Sequence, residues 1–241
     1  MYERGMIGGM LLLFLSTVQM PTAWAMMRDT LRMGGDAPLH RAAREGDLVR
    51  LRRLLPKPSF WQRVRGQPHP DLVRVLGLHN LFRETPLYVA VSSNRPAVTR
   101  LLLELGSDAN TQNTCHRVTP LLAAVHTGSV QITKDLLDYG ANVELSGHAI
   151  RDTPLHSAAL LGHEGVVQVL LEGGARADAR GFAGRVPLQH ALFNQELDNV
   201  GVISLLLAHG AAVRGEYLNT AVRRNNIHAV ELLLAHNAHT E

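Results

Sequence analysis

Arginine stands three residues ahead of a proline at Arg83, Arg117 and Arg151, and these positions are 34 residues apart. The phrases are "RETPLY", "RVTPLL" and "RDTPLH"; a fourth, "GRVPLQ", has Gly184 in that place and Arg185 one position later. A guanidinium fork suits planar anions, so such a column offers a partner's carboxylates or phosphates a row of docking points. Glu84 and Asp152 stand beside two of these arginines. A second reading is therefore a ladder of ion pairs inside the scaffold, each contributing about 0–1 kcal/mol. The sequence leaves both open.

The other residues able to do chemistry are scattered. Thirteen histidines invite a metal, but no pair has H-x-x-x-H spacing on one helix. His116 and His126 are ten residues apart, and His236 and His239 sit near the end of the chain. There is no nucleophile elbow, phosphate-cradling Gly loop or paired-carboxylate pattern. No enzymatic activity, cofactor or metal site is expected. The single cysteine, Cys115, excludes an intramolecular disulfide and a cysteine-based zinc site, and we read it as an inert thiol. "SFWQRVRG", Ser59 to Gly66, mixes aromatic residues with arginines and could stack on bases. The reading preferred here is that Phe60 and Trp61 tuck an insertion against the body of the protein, and nucleic acid is not the expected partner.

Elements that position these residues recur along the chain. Pro86, Pro120 and Pro154 are 34 residues apart and Pro187 follows after 33. Each proline opens a Leu, a small-residue stretch such as Ala123-Ala124 or Ala158-Ala159, and often a Gly eight residues on (Gly128, Gly162). An apolar helical stripe follows and ends in paired leucines, for example Leu136-Leu137 and Leu170-Leu171. Gly140-Ala141 and Gly174-Ala175 then close the unit. Thr119-Pro120 and Thr153-Pro154 each read as a helix start, with threonine as cap and proline where its missing N–H is not needed. A fixed period of this length marks stacked units, none of which buries its apolar face alone.

The phrase "TPLHSAALLGHEGVVQVLLEGGA", Thr153 to Ala175, resembles an ankyrin repeat, whose signature is T-P-L-H-x-A. The resemblance implies an all-α solenoid of helix-turn-helix units joined by β-hairpin or finger loops, and it covers residues 36–241. Six units lie near 36–55, 83–111, 117–145, 151–179, 184–214 and 215–241, with an insertion at 56–82. The sixth has lost its proline and has Asn225 in place of the usual Gly, as suits a capping unit. The insertion holds a short helix from Asp71 to Leu78 capped by Asp71, and the fifth unit carries two extra residues around "NQELDNVG".

The resemblance also implies that His40 and His156, in the TPLH slot, hydrogen-bond a neighbouring loop. It places glycine where Arg83, Arg117 and Arg151 stand. Partners of ankyrin repeats meet the finger tips and first helices. Carried over by position, this makes Arg83, Glu84, His116, Arg117, His126, Ile150, Arg151, Asp152, Leu160, Leu161, Phe182, Arg185 and Phe193 the candidate partner-binding residues. Phe182 and Phe193 are candidate anchors, since aromatic and Arg residues dominate interface hot spots. For Phe182 the alternative is packing against the next finger.

Composition sets the remaining bounds. A formal charge of +3 over 241 residues is too small to imply nucleic acid by itself. Its distribution is uneven: residues 28–83 hold 12 Lys+Arg and 5 Asp+Glu, while residues 84–241 hold 11 and 15. Residues 1–25 read as a cleaved signal peptide, with Arg4, an apolar run from Met6 to Val18, and Ala23 and Ala25 at the cleavage site. Residues 26–35 form a short linker. The expectation is an exported protein, secreted or periplasmic, with no stable membrane anchor after cleavage and another protein as its partner. A cytosolic ankyrin adaptor or regulator of another enzyme, such as one recruiting substrates to a ubiquitin ligase, is the rival; the docking box of that class is not found in this sequence.

Overall fold

Proline, threonine and glycine at fixed offsets cut the chain into short helices that pair. The computed structural model describes residues 37–55, 70–113, 117–147, 151–193 and 199–238. The expected signal segment and linker lie outside this range, as do Cys115, His116, Ile150 and the aromatic part of the insertion. The first unit comprises α1 (Pro38–Glu45) and α2 (Leu48–Leu54), and α3 (Pro70–Leu76) lies in the insertion. The second is α4 (Pro86–Ser92) with α5 (Pro96–Glu104), and the third is α6 (Pro120–Thr127) with α7 (Val130–Asp138). The fourth is α8 (Pro154–Leu161) with α9 (Glu164–Glu172), and the fifth is α10 (Pro187–Phe193) with α11 (Val200–Ala208). The last is α12 (Gly215–Arg223) with α13 (Ile227–Ala238).

First helices pack on first helices, α1 through α12, and second helices on second helices from α5 to α13. Two columns result, and the chain is an all-α solenoid. No described residue forms a strand, so the fingers are turns closed by individual hydrogen bonds.

The local chemistry explains each helix. Proline occupies the first turn of α4, α6 and α8. Thr119 Oγ1 accepts from the Leu122 N–H at 3.1 Å, and Thr85 Oγ1 accepts from the Tyr88 N–H at 3.2 Å. At the other end Gly128 and Gly162 take φ of 67° and 70°, the left-handed turn into the second helix. Asn94 and Asn225 do the same at 51° and 53°. Leu121, Leu155, Leu188 and the alanine pairs are buried between units. Each fully buried leucine is worth about 1.5–3 kcal/mol, an energy available only when a neighbouring unit stacks.

A polar ladder joins the turns behind the second helices. Asn110, Glu144 and Asp178 each lie four residues after a glycine. Their side chains accept the backbone N–H of Asn142 (2.7 Å), Arg176 (2.8 Å) and Ala212 (3.0 Å) in the following unit. In the fifth unit this place is taken by Arg214, which offers no acceptor, and the sixth unit is the last described. That unit exposes Val222 and Leu234, whose counterparts Ala159 and Leu171 are buried by the next repeat.

Two expectations are corrected. The insertion helix runs Pro70–Leu76, so Asp71 is its second residue and does not cap it; proline suits the first position and Gly77 ends the turn. The fifth unit is longer by three residues, not two. Its second helix begins 13 positions after Pro187, against 10 after Pro120 and Pro154, and a finger one residue shorter hides the third. The extra residues fall between α10 and α11, where 194–198 lie outside the described residues.

Candidate protein-binding face

Each finger must reverse the chain within about five residues, and the reversal needs positive φ. The Asn80 N–H donates to Glu84 O at 3.0 Å, and the Glu84 N–H returns to Asn80 Oδ1 at 2.9 Å. In the next finger the Asn113 N–H donates to Val118 O at 3.0 Å, and the Val118 N–H to Asn113 Oδ1 at 3.0 Å. Gly181 donates to Arg185 O at 2.7 Å in the finger before α10. The turn places Arg83 at φ 59° and Arg117 at φ 50°; in the Gly181 finger Ala183 (55°) and Gly184 (73°) take that role. Arg151 is outside the left-handed region. A non-glycine residue held there carries a strain of about 1–2 kcal/mol.

The buried histidines fix the fingers to the stack. His156 Nδ1 accepts from the Thr153 N–H at 3.1 Å, leaving Nε2–H to donate to the Arg185 carbonyl at 3.0 Å. His40 Nε2 reaches the carbonyls of Leu78 (3.1 Å) and Glu84 (2.9 Å). These are the loop contacts that the resemblance implied.

The arginine ladder does not form. Glu84 Oε2 accepts from Asn80 Nδ2 at 3.0 Å. Asp152 Oδ1 accepts from the Phe182 N–H at 2.7 Å, and its Oδ2 lies 3.6 Å from His190 Nε2. Both carboxylates hold their fingers, and none of Arg83, Arg117 and Arg151 pairs with a described carboxylate. Their side chains are exposed. Burial holds the His190 imidazole below its ordinary value; Asp152 opposes that shift, while His156 and Arg185 add to it.

Apolar residues gather where the first helices end. Leu160 is 41% exposed, Leu161 37%, Phe193 38% and the finger-tip Phe182 58%. Phe182 therefore does not bury itself against a neighbouring finger. His126 and Ser92 are exposed at the matching place in earlier units. Sequence reasoning missed Leu81 and Phe82, 73% and 61% exposed at the tip beside Arg83. Leu81 occupies the same slot before its proline as Phe182, which was the available signal. It also missed Arg224. The guanidinium groups of Arg185 and Arg224 lie 4.8 and 4.7 Å from the Phe193 ring centroid, and Arg224 Nη1 donates to the Phe193 carbonyl at 2.8 Å. Such cation–π contacts contribute about 0.5–1 kcal/mol each at exposed sites.

Charge divides along the same line. The fingers and first helices of units two to six (80–93, 114–127, 148–161, 181–194 and 211–224) carry seven arginines and three carboxylates. The remaining residues from 94 to 241 carry five basic and twelve acidic side chains.

Away from this face, a groove of about 400 Å³ between α2, α5 and α7 is lined by Arg52, Arg100 and Asp135 among others. The buried Asp135 carboxylate accepts from Arg100 Nη2 at 2.5 Å and Gln131 Nε2 at 2.9 Å. That bond raises the Arg100 pKa. Among the described residues no group of three or more His, Cys, Asp or Glu is placed to hold a metal, and no helix is long and apolar enough to cross a membrane.

Known proteins share this architecture. Residues 87–181 match the family model for ankyrin repeats (3 copies). An ANK repeat-containing protein, nipk-1, of Caenorhabditis elegans is 32% identical over 93 residues, which are 39% of this chain and 14% of that protein. The chain thus spans a small part of that relative. The ankyrin repeat domain of Bcl-3, described as a member of the IkappaB protein family, superposes with TM-score 0.68 at 31% identity. That match covers 83% of this chain and 86% of that one. The human ASB11 ankyrin repeat domain gives TM-score 0.65 at 28% identity, covering 83% and 84%. An ankyrin repeat domain from Acinetobacter baumannii gives 0.67 at 24% identity over 83% and 97%, a likeness of fold. The repeating helix pairs, the finger-anchoring histidines and these matches together place the chain in the ankyrin-repeat family.

Proposed function

We propose that the chain is a non-enzymatic scaffold that binds another protein through its finger tips and the ends of its first helices, the concave face of an ankyrin stack. Ankyrin repeats are in general protein-interaction modules, but a fold alone does not name a function. One observation carries the reading: Phe182, Phe193, Leu160 and Leu161 are exposed on the face that also carries Arg83, Arg117 and Arg151, none of which pairs with a described carboxylate. Aromatic and arginine side chains of this kind form the energetic centre of interfaces. Arg83, Arg117, Arg151 and Arg185 stay partner-facing in this proposal, whereas Glu84 and Asp152, candidates for the same role, hold the fingers instead. The second part of the proposal is export, with cleavage after Ala25.

Photo-crosslinking from position 182 tests the binding reading. With p-benzoylphenylalanine in place of Phe182, a discrete crosslinked species forms in the native cell or its medium. The same residue in place of the exposed Tyr139, on the turn after α7, gives none. Equal crosslinking from both positions sinks the reading. Intact mass after fractionation tests export: a chain starting at Met26 outside the cytosol agrees with it, and an uncut cytosolic chain contradicts it.

A further inference from the structure

Seven arginines against three carboxylates on one face ask what anion that face meets. The three carboxylates leave a surplus of four positive charges on it. Glu84 and Asp152 are engaged by the finger backbone and by Asn80. The chain's own acidic groups lie mostly on the second helices and their turns, where Glu144 and Asp178 accept backbone N–H groups. A cationic face set against an acidic remainder fits a partner of opposite charge.

The arrangement around Phe193 narrows the chemistry. Two guanidinium groups lie over one ring, so their positions are set before anything binds. Arg224 is further fixed by its bond to the Phe193 carbonyl, and Arg185 by its own carbonyl, which His156 and Gly181 hold. Neither guanidinium pairs with a described carboxylate; Glu196 and Asp198 lie outside the described residues. Leu160 and Leu161 are exposed at the end of α8, the neighbouring first helix, and Phe182 at the finger tip. With two guanidinium groups already over its ring, Phe193 is a poorer stacking platform for a nucleobase than a bare aromatic face. Carboxylates beside an apolar side chain satisfy both halves of the patch, the guanidinium forks and the leucines.

We infer that the Arg185–Phe193–Arg224 cluster docks an acidic segment of the partner protein that carries an apolar side chain beside its carboxylates. The inference rests on the protein-binding reading above and specifies its partner. It places the centre of recognition in units four to six, with Arg83, Arg117 and Arg151 extending the same field along the stack.

The test uses the full chain, labelled with ¹⁵N in arginine, and defined probes. The first is a capped twelve-residue peptide alternating Asp or Glu with Leu or Phe. The second has Lys in place of every acidic residue, the third is oligoglutamate, and the fourth is a twelve-nucleotide oligothymidine. The acidic–apolar peptide shifts the side-chain Nε–Hε signals of Arg185 and Arg224, binds more tightly than oligoglutamate, and weakens as salt is raised. Arg185→Glu weakens that binding at least tenfold, and Lys134→Glu on α7 leaves it within twofold. Arg185 makes no side-chain hydrogen bond to a described residue, so Arg185→Gln, which folds without losing one of these, repeats the loss in smaller measure. Unmoved Arg185 and Arg224 signals with the acidic–apolar peptide overturn the inference. If crosslinking from position 182 still succeeds, the protein-binding reading survives and only the partner's chemistry is wrong. Tighter binding of the oligothymidine at the same two arginines also overturns it, in favour of a nucleic-acid face.

Discussion

The finger before α10 and the fingers carrying Arg83 and Arg117 make the same reversal with different residues. In the former, Ala183 and Gly184 take the left-handed positions and Asp152 and His156 clamp the turn from the preceding unit. In the latter, an arginine occupies the strained position and its side chain extends into solvent with no described carboxylate partner. Gly184 fills the same slot in the left-handed region without a Cβ and so without that strain, although its finger also holds Ala183 at φ 55°. An arginine retained at such a position is therefore contributing something other than the stability of its own turn. On this view the clamp is scaffold and the arginines belong to the binding face.

Breaking the clamp gives the largest effect. His156→Ala leaves the Thr153 N–H without its partner and the Arg185 carbonyl with the Gly181 N–H alone, and lowers stability by about 1–3 kcal/mol in urea titration. His126→Ala, at an exposed position, stays within about 0.5 kcal/mol. Next comes Gly184→Arg, which imports the strain of the other fingers and destabilises by about 1 kcal/mol.

Acid sharpens the same contrast. Burial disfavours the charged imidazole of His190, so its folded pKa lies below the ordinary 6.5, which the unfolded chain retains. As pH falls through 6.5 the unfolded chain takes up the proton first, and the stability contributed by neutral His190 declines until the folded group itself titrates. Thermal melts from neutral to mildly acidic pH show that decline, and His190→Gln flattens it. The smallest effect belongs to the binding face. Arg185→Gln removes one cation–π contact and changes stability by no more than about 0.5–1 kcal/mol, although it weakens partner binding.

The period was legible in the sequence because each unit repeats its cap, its first-turn proline and its buried leucines, all set by local chemistry. The finger contacts of His40 and His156 followed from their slot in the repeat. The fate of Glu84 and Asp152 was not legible. Asp152 meets Phe182 and His190 only because units four and five stack, and 30 or more residues separate these groups along the chain. Arg224 was hidden because the last unit has lost its proline and glycine, so its register is clear only from the helices. The division of charge between the two columns emerged once each helix was assigned to a column. The three-residue lengthening of the fifth unit was miscounted because a shorter finger offset part of it.

The most direct measurement is the stability of Arg83→Gly with Arg117→Gly, compared with Arg151→Gly. Relief of left-handed strain gives about 1–2 kcal/mol at each of the first two sites, and the added freedom of the unfolded chain takes back about 0.4–1 kcal/mol. The account predicts a net gain of roughly 1.5 kcal/mol for the double variant. Arg151→Gly, at a position outside the left-handed region, loses stability. A double variant less stable than the parent would contradict the account, and would return these arginines to the scaffold.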